Sequence, residues 1–172
     1  MRINVDGSYR PDFGDGGIGV VIQDEHGMCQ AAMARYFPHV LSVFHMEAEA
    51  CRAGLLLAIH QGWEDLELES DCSLMVVALN TNVEDRSEVG RIIDDCKSYL
   101  TSFHSTQICH VFREANGAAR RLAHLASLNY LNDVWLEESP AIIQNVLYED
   151  NCNYNRGQGP MSPSRYDSIL MQ

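Results

Sequence analysis

The chain of 172 residues carries a net charge of −12, is 46% hydrophobic, and contains a single lysine, Lys97, beside eleven arginines. Its length suffices for one domain with a buried core, and no apolar run approaches the roughly 20 residues that a membrane span requires. The acidic balance argues against binding of nucleic acid through an extended basic patch. No secretory signal precedes the first strand pattern, and the six cysteines show no zinc spacing. We therefore expect a soluble, monomeric, intracellular protein with reduced thiols, in the nucleus or the cytoplasm, with no membrane partner.

The first predicted strand, residues 2–10, contains a carboxylate in its middle. Ile3 and Val5 alternate with Asn4, Asp6 and Ser8, so the apolar and polar side chains point to opposite faces. Strands are depleted in aspartate, which makes Asp6 unusual. It is either the start of a turn or a carboxylate held on a rigid sheet, where a metal or a reacting group could bind.

Residues 18–23 and 28–37 predict two more strands, which complete an antiparallel meander. A long helix follows at residues 42–62, with Ser42 as its N-cap. At about 100° per residue, Glu47 lies at the edge of the apolar stripe and Glu49 points nearly opposite. We expect Glu49 to be a solvated surface charge and Glu47 to lie near the packed face, as a functional group or as a half-buried partner of an arginine.

Residues 66–70 alternate as a fourth strand, followed by Asp71 and a short helix at 72–79. Asp71 is an N-cap of that helix, or a ligand at the carboxyl end of a strand, or both. Next come a helix at 88–103, a strand at 106–112 and a helix at 117–131 that Asn116 caps.

The order β-β-β-α-β-α-α-β-α predicts an α/β domain with a five-stranded mixed sheet, in which an antiparallel hairpin edge joins a parallel part. We expect this domain at residues 1–131. A docking segment at 132–150 would form a short helix or an extended cover, and residues 151–172 would form a flexible tail.

Five motifs in one order resemble the ribonuclease H-like domains common in plants, including those descended from reverse transcriptases of mobile elements. They are Asn4–Ser8, Gly17–Asp24, Glu47–Ala50, Glu69–Asp71 and His110–Asn116. The segment Val134–Pro140 resembles the stretch that often follows the domain in that group. The resemblance covers roughly residues 2–150 and implies a ribonuclease H-like fold.

The resemblance also implies that Asp6, Glu47 and Asp71 are catalytic residues and three of the family's four metal-binding carboxylates. They would hold one or two Mg²⁺ or Mn²⁺ ions for the hydrolysis of RNA in RNA–DNA hybrids. Residues expected to contact this nucleic-acid substrate are Gly7, Ser8, Arg113 and Asn116. The predicted elements place the three carboxylates on one side of the sheet.

The chain departs from the family pattern at the fourth carboxylate. Relatives commonly have an acid four residues after the asparagine that opens the last helix, where this chain has Arg120. Arginine donates no metal ligand, and its charge repels a nearby Mg²⁺. In one hypothesis the chain is a weakened ribonuclease in which Glu114 or a water partly replaces the missing ligand. In the other it is an inactive module that binds nucleic acid or protein. Arg113, Arg120 and Arg121 would then contact phosphates, unless Arg120 and Arg121 are only solvated surface charges.

Overall fold

A mixed β-sheet with helices on both faces is formed by residues 1–82 and 86–155, which are the residues that this computed structural model describes. The strands are β1 Arg2–Arg10, β2 Asp15–Gln23, β3 Cys29–Phe37, β4 Asp65–Ser70, β5 Ser105–His110 and β6 Asn132–Leu136. The helices are α1 Val43–His60, α2 Ser73–Asn80, α3 Glu88–Leu100, α4 Gly117–Asn129 and α5 Ala141–Asn155, with a 3₁₀ turn at Arg113–Asn116. Every strand and helix predicted within residues 2–131 lies within three residues of its observed bounds.

The sheet has the strand order β5-β4-β1-β2-β3-β6. Antiparallel pairs join β1, β2, β3 and β6, and parallel pairs join β1 to β4 and β4 to β5. The predicted α/β class and mixed sheet are confirmed, but the prediction of five strands is wrong. The sixth strand, β6, lies at the sheet edge and is mostly exposed, so its residues show no alternation of apolar and polar side chains.

Helix α1 covers one face of the sheet. It begins after Ser42, whose Oγ accepts a hydrogen bond of 3.0 Å from the backbone N–H of His45, so the predicted N-cap is confirmed. Apolar residues of β1 and β2 that point to this face are fully buried with α1 in the larger of two hydrophobic cores; they include Ile3, Val5, Ile18 and Val20.

Helix α4 covers the opposite face and lies unusually close to β2. A Cβ atom at Gly17 would come within 2.6 Å of the Ala123 carbonyl oxygen, and one at Gly19 would collide with the Ala119 carbonyl oxygen. The two glycines therefore allow the helix axis to approach the strand. The second hydrophobic core lies here and includes Leu122, which is fully buried.

The C-terminal part joins the sheet through β6, which pairs with β3, and packs on α4 through α5. Arg121 Nη1 donates to the Ile142 carbonyl oxygen at 3.0 Å and to Asn145 Oδ1 at 2.7 Å, and Ile143 is fully buried in the second core. Helix α5 continues through Asn155, into the first five residues of the predicted tail. The rest of that tail, 156–172, lies outside the described residues. The domain boundary at 131 stays a prediction, although β6 continues the same sheet beyond it.

Among the described residues, no helix is both long and apolar enough to cross a membrane. The five cysteines whose side chains the structure describes are free thiols.

Candidate active site

The end of the β1–β4 ladder brings two carboxylates together. The parallel register runs from Arg2 opposite Glu67 to Val5 opposite Ser70, where β4 ends while β1 continues. Asp6 is thus the first residue of β1 beyond the ladder, and Asp71 is the first residue after β4. Carboxyl ends of adjacent parallel strands are common ligand sites in α/β sheets, because the chains diverge there and leave a crevice.

The third carboxylate reaches this point because Gly7 has no side chain. A Cβ atom at Gly7 would lie 2.5 Å from the Met46 carbonyl carbon and 2.6 Å from the Glu47 backbone nitrogen. Real Cβ atoms do not approach backbone this closely, so only glycine lets α1 cross β1 at this position. The backbone of Gly7 also lies close enough to the Glu47 carboxylate to lower its pKa, against the larger rise that burial causes.

The carboxylates of Asp6, Glu47 and Asp71 each offer an oxygen within 4.8 Å of the others. Asp6 and Glu47 are buried, with 7% and 5% of their surface exposed, and Asp71 is half-buried. The expectation that all three lie on one side of the sheet is wrong. By alternation Asp6 belongs to the α4 face, whereas Glu47 comes from the helix on the other face. They meet at the open edge of β1, beyond the end of β4.

Burial of two like charges raises the pKa values of both buried acids. Desolvation first, and the Asp71 charge second, raise the pKa of Asp6 to about 8, and the charges of Arg120 and Arg113 partly oppose this rise. Desolvation, followed by the charges of Asp6 and Asp71, raises the pKa of Glu47 to about 9. Glu47 Oε2 is buried and has no hydrogen-bond partner among the described residues. Clustered, repelling carboxylate oxygens with an unused lone pair fit a divalent cation.

Asn116 holds this arrangement in place. Its Nδ2 donates to the Val5 carbonyl oxygen at 2.8 Å and to Asp71 Oδ1 at 3.1 Å, while 1% of its surface is exposed. Asn116 stands at the predicted N-cap position of α4, but its side chain makes no capping bond there. The predicted Asp71 cap of α2 is wrong, since Cys72 occupies the cap position without a side-chain bond. Both side chains bond to each other instead.

Glu49 is not the solvated charge that helical geometry predicts. It is buried, and both of its carboxylate oxygens lie 2.7 Å from Arg52 Nη2, one turn further along α1. Arg52 Nη1 also reaches Asp95 of α3 at 3.3 Å. The helix α3 covers this side of α1, which the amphipathic pattern of α1 alone does not indicate. The arginine partner considered for Glu47 belongs to Glu49.

The three carboxylates open into a groove of about 1050 Å³ whose lining includes Gly7, Ser8, Arg113, Arg120 and His124. Arg120 is half-buried and Arg113 is exposed. Arg121 also borders the groove, but its guanidinium is used to hold α5. Among the described residues that line this groove, α4 contributes no carboxylate.

His110 was not predicted as a site residue. It ends β5, lines the groove, and its Nε2 lies 3.3 Å from the Asp71 carbonyl oxygen. The register places His110 there, because β4 and β5 are parallel and Ser70 pairs with His110. Both strands therefore end at the edge where Asp71 lies.

Comparison with known proteins agrees with this geometry. The profile of the reverse transcriptase-like family matches residues 4–126. A curated Arabidopsis thaliana protein named "Putative ribonuclease H protein At1g65750" is 27% identical over 161 residues, which cover 91% of this chain. The chain spans about a quarter of that relative's length, 25%.

Two solved structures are similar in fold. RNase H1 from the archaeon Halobacterium salinarum NRC-1 superposes with a TM-score of 0.69 at 26% identity, covering 76% of this chain and 98% of its own. LC11-RNase H1, solved in complex with an RNA/DNA hybrid, gives a TM-score of 0.67 at 22% identity, covering 75% of this chain and 96% of its own. The fold is therefore that of ribonuclease H, and the chain belongs to the reverse transcriptase-like family.

Proposed function

We propose that this domain binds RNA–DNA hybrids and hydrolyses their RNA strand with the help of a divalent cation, at a rate lowered by Arg120. The observation that carries the proposal is the convergence of Asp6, Glu47 and Asp71 within 4.8 Å at the floor of an open groove. Three carboxylates from distant parts of the chain, two of them buried, relieve their repulsion either by taking up protons or by binding a positive charge, and a divalent cation supplies that charge when they are ionised.

Mg²⁺ or Mn²⁺ would be held by Asp6, Glu47 and Asp71. When bound, such an ion supplies charge stabilisation at a phosphoryl oxygen and a more acidic water. Around it the chain's own residues have distinct tasks: Gly7 lets α1 bring Glu47 to the site, and Asn116 fixes Asp71 against the end of β1. We assign Gly7 and Ser8 to contacts with the substrate, because both line the groove beside Asp6. Asn116 supports substrate binding by holding this frame, since its side chain is buried.

Arg120 and Arg113 supply the positive charge of the groove. Both are close enough to Asp6 to lower its pKa, and guanidinium groups bind phosphate oxygens well. We assign them to the phosphates that flank the reacting bond. In a chain of net charge −12 this local pair is what allows a polyanion to approach.

A second candidate function is an inactive module that binds nucleic acid without turnover. It is favoured by the guanidinium of Arg120, which stands beside the carboxylates where the family pattern has an acid. The same groove, cation and arginines would then position a hybrid and leave it intact.

One experiment separates the two. The chain is incubated with a labelled RNA–DNA hybrid and Mg²⁺ or Mn²⁺, beside Asp6→Asn and the matched control Asp12→Asn, which alters an exposed carboxylate of the first hairpin. Cleavage that Asp6→Asn abolishes and Asp12→Asn leaves unchanged supports the enzyme. Hybrid binding without cleavage supports the module.

A third variant tests the explanation of the defect. Arg120→Asp restores an acid at that position, and we expect cleavage to increase about tenfold or more, since each 1.4 kcal/mol of barrier is a factor of ten. If Arg120→Asp leaves an inactive protein inactive, Arg120 is not what limits the reaction.

A further inference from the structure

The tip of the first hairpin carries two exposed rings around one guanidinium. The Arg10 guanidinium carbon lies 4.7 Å from the centroid of the Phe13 ring and 5.8 Å from that of the Tyr130 ring. Phe13 is 72% exposed and Tyr130 is 61% exposed, and neither belongs to a hydrophobic core. These three side chains, Arg10, Phe13 and Tyr130, are here named the ring cluster. Packing of the fold does not explain it.

The ring cluster is held rigidly from below. Arg10 donates from Nε and Nη2 to the two Asp15 oxygens at 2.7 and 2.5 Å, and the Tyr36 hydroxyl donates to Asp15 Oδ2 at 3.0 Å. The Tyr36 ring packs edge-on against Tyr130, with centroids 4.8 Å apart. Asp15 thus compensates the charge of Arg10. The planar side chains of the ring cluster face solvent in fixed positions, so a ligand that stacks on them need not order them first.

The ring cluster lies in line with the groove. Asp6, Ser8 and Arg10 are every second residue of β1 and therefore lie on the same face of the strand. Helix α4 runs beside them and ends at Tyr130, and Ser8 Oγ lies 3.4 Å from Ser127 Oγ of that helix. Asp6 and Arg10 are four residue steps apart along the strand, a distance of about 13 Å. Stacked nucleotides rise about 3.4 Å each along a strand, so the distance corresponds to about four of them.

We propose that the ring cluster is a stacking site for an unpaired nucleobase on a strand that leaves the groove, an inference that rests on the proposed function. Aromatic and guanidinium planes stack bases of every type, because each base has a π face. Bases inside a hybrid are already stacked on their neighbours, so the occupant is a base of a single-stranded extension. Stacking suits an acidic chain, since its contribution does not depend on phosphate contacts.

The test compares a blunt, short RNA–DNA hybrid with hybrids that carry a single-stranded extension of six nucleotides at one of the four strand ends. Binding is measured by fluorescence anisotropy, with Ca²⁺ in place of Mg²⁺. We expect the full chain to bind one extended hybrid about tenfold more tightly than the blunt one, within the range of one base–aromatic stack. This gain should persist when added salt weakens binding of the blunt hybrid.

Phe13→Ala should lose most of the gain while its affinity for the blunt hybrid stays unchanged, and Phe13→Trp should keep the gain. The control Met28→Ala, an exposed residue before β3 and remote from the groove lining, should bind every hybrid like the parent. No gain from any extension, or a full gain in Phe13→Ala, overturns the stacking site alone. If the blunt hybrid does not bind, the proposed function fails as well. If Phe13→Ala instead dissociates a dimer in sedimentation, the ring cluster is a protein contact and the proposal is overturned.

Discussion

Removal of one buried charge should stabilise the domain in the absence of a cation. Two unit charges 4.8 Å apart, the upper limit of the separations here, repel by about 3.5 kcal/mol at an effective dielectric constant of 20. Asp6 faces two such neighbours, Glu47 and Asp71, and Asn is almost isosteric with Asp. Because protonation limits the repulsion at lower pH, we expect Asp6→Asn to raise the free energy of unfolding by about 2–4 kcal/mol at pH 9 and by less than about 1 kcal/mol at pH 5.

The pH dependence follows from the direction of both shifts. The pKa values of Asp6 and Glu47 rise on folding to about 8 and about 9, so between about pH 4 and pH 9 the folded state binds more protons than the unfolded state. The free energy of unfolding therefore falls as pH rises through this window. Asp6→Asn removes part of that slope, and a saturating concentration of Mg²⁺ should restore stability at pH 9 in the parent more than in the variant.

The assay is urea unfolding followed by tryptophan fluorescence in EDTA or Mg²⁺ at several pH values, with Asp12→Asn as the control. All variants contain the same cysteines, so the effect of cysteine ionisation on stability cancels when two variants are compared at one pH. If Asp6→Asn destabilises the domain at pH 9, or leaves the pH slope of the parent unchanged, the three carboxylates do not repel as their distances require.

Three other substitutions test the frame around the site. Gly7→Ala places a Cβ against the backbone of α1 and should lower the free energy of unfolding by about 2–3 kcal/mol, measured with urea. Gly117→Ala lies in a helix with its nearest contact at 3.3 Å and should be nearly neutral. Equal losses in the two variants would contradict the close crossing of α1 over β1. Glu49→Gln should lower stability by about 1–2 kcal/mol through its weakened arginine contacts and leave the Mg²⁺-induced rise in midpoint temperature intact; loss of that rise would mean that Glu49 serves the cation site. Asn116→Ala should lower the free energy of unfolding by about 1–3 kcal/mol, because the buried Val5 carbonyl loses its hydrogen-bond donor. It should also reduce the Mg²⁺-induced rise in midpoint temperature, because Asp71 is released. An unchanged rise would show that Asp71 needs no support.

The sequence predicts a residue's role well where the local pattern alone determines its contacts. Asp6 stood out because a strand carried a carboxylate, and Ser42 because a polar residue preceded a long apolar periodicity. Prediction from the sequence fails where a partner far away in the chain determines a side chain's contacts. Asn116 and Asp71 are good capping residues by type, yet 45 positions apart along the chain they bond to each other. Glu49 points away from the stripe of α1 but lies under α3 beside Arg52.

The same limit explains how the carboxylates meet. Periodicity assigns each side chain to a face of its own element, and by that measure Asp6 and Glu47 belong to opposite faces. Their meeting depends on β4 ending at Ser70 and on the bare backbone of Gly7, which are properties of register and of helix crossing. Neither can be read from one element alone.

The pairing of β6 with β3 determines where this domain can be cut. A fragment that ended at residue 131 would leave the backbone N–H and C=O groups of β3 unpaired along one side. It would also uncover the apolar side of α4 on which Ile143 and Leu147 rest. Such a fragment would retain every carboxylate of the site and yet tend to aggregate through its bare strand. Expression of a usable domain therefore calls for the chain through α5, well past the last residue that the family profile matches.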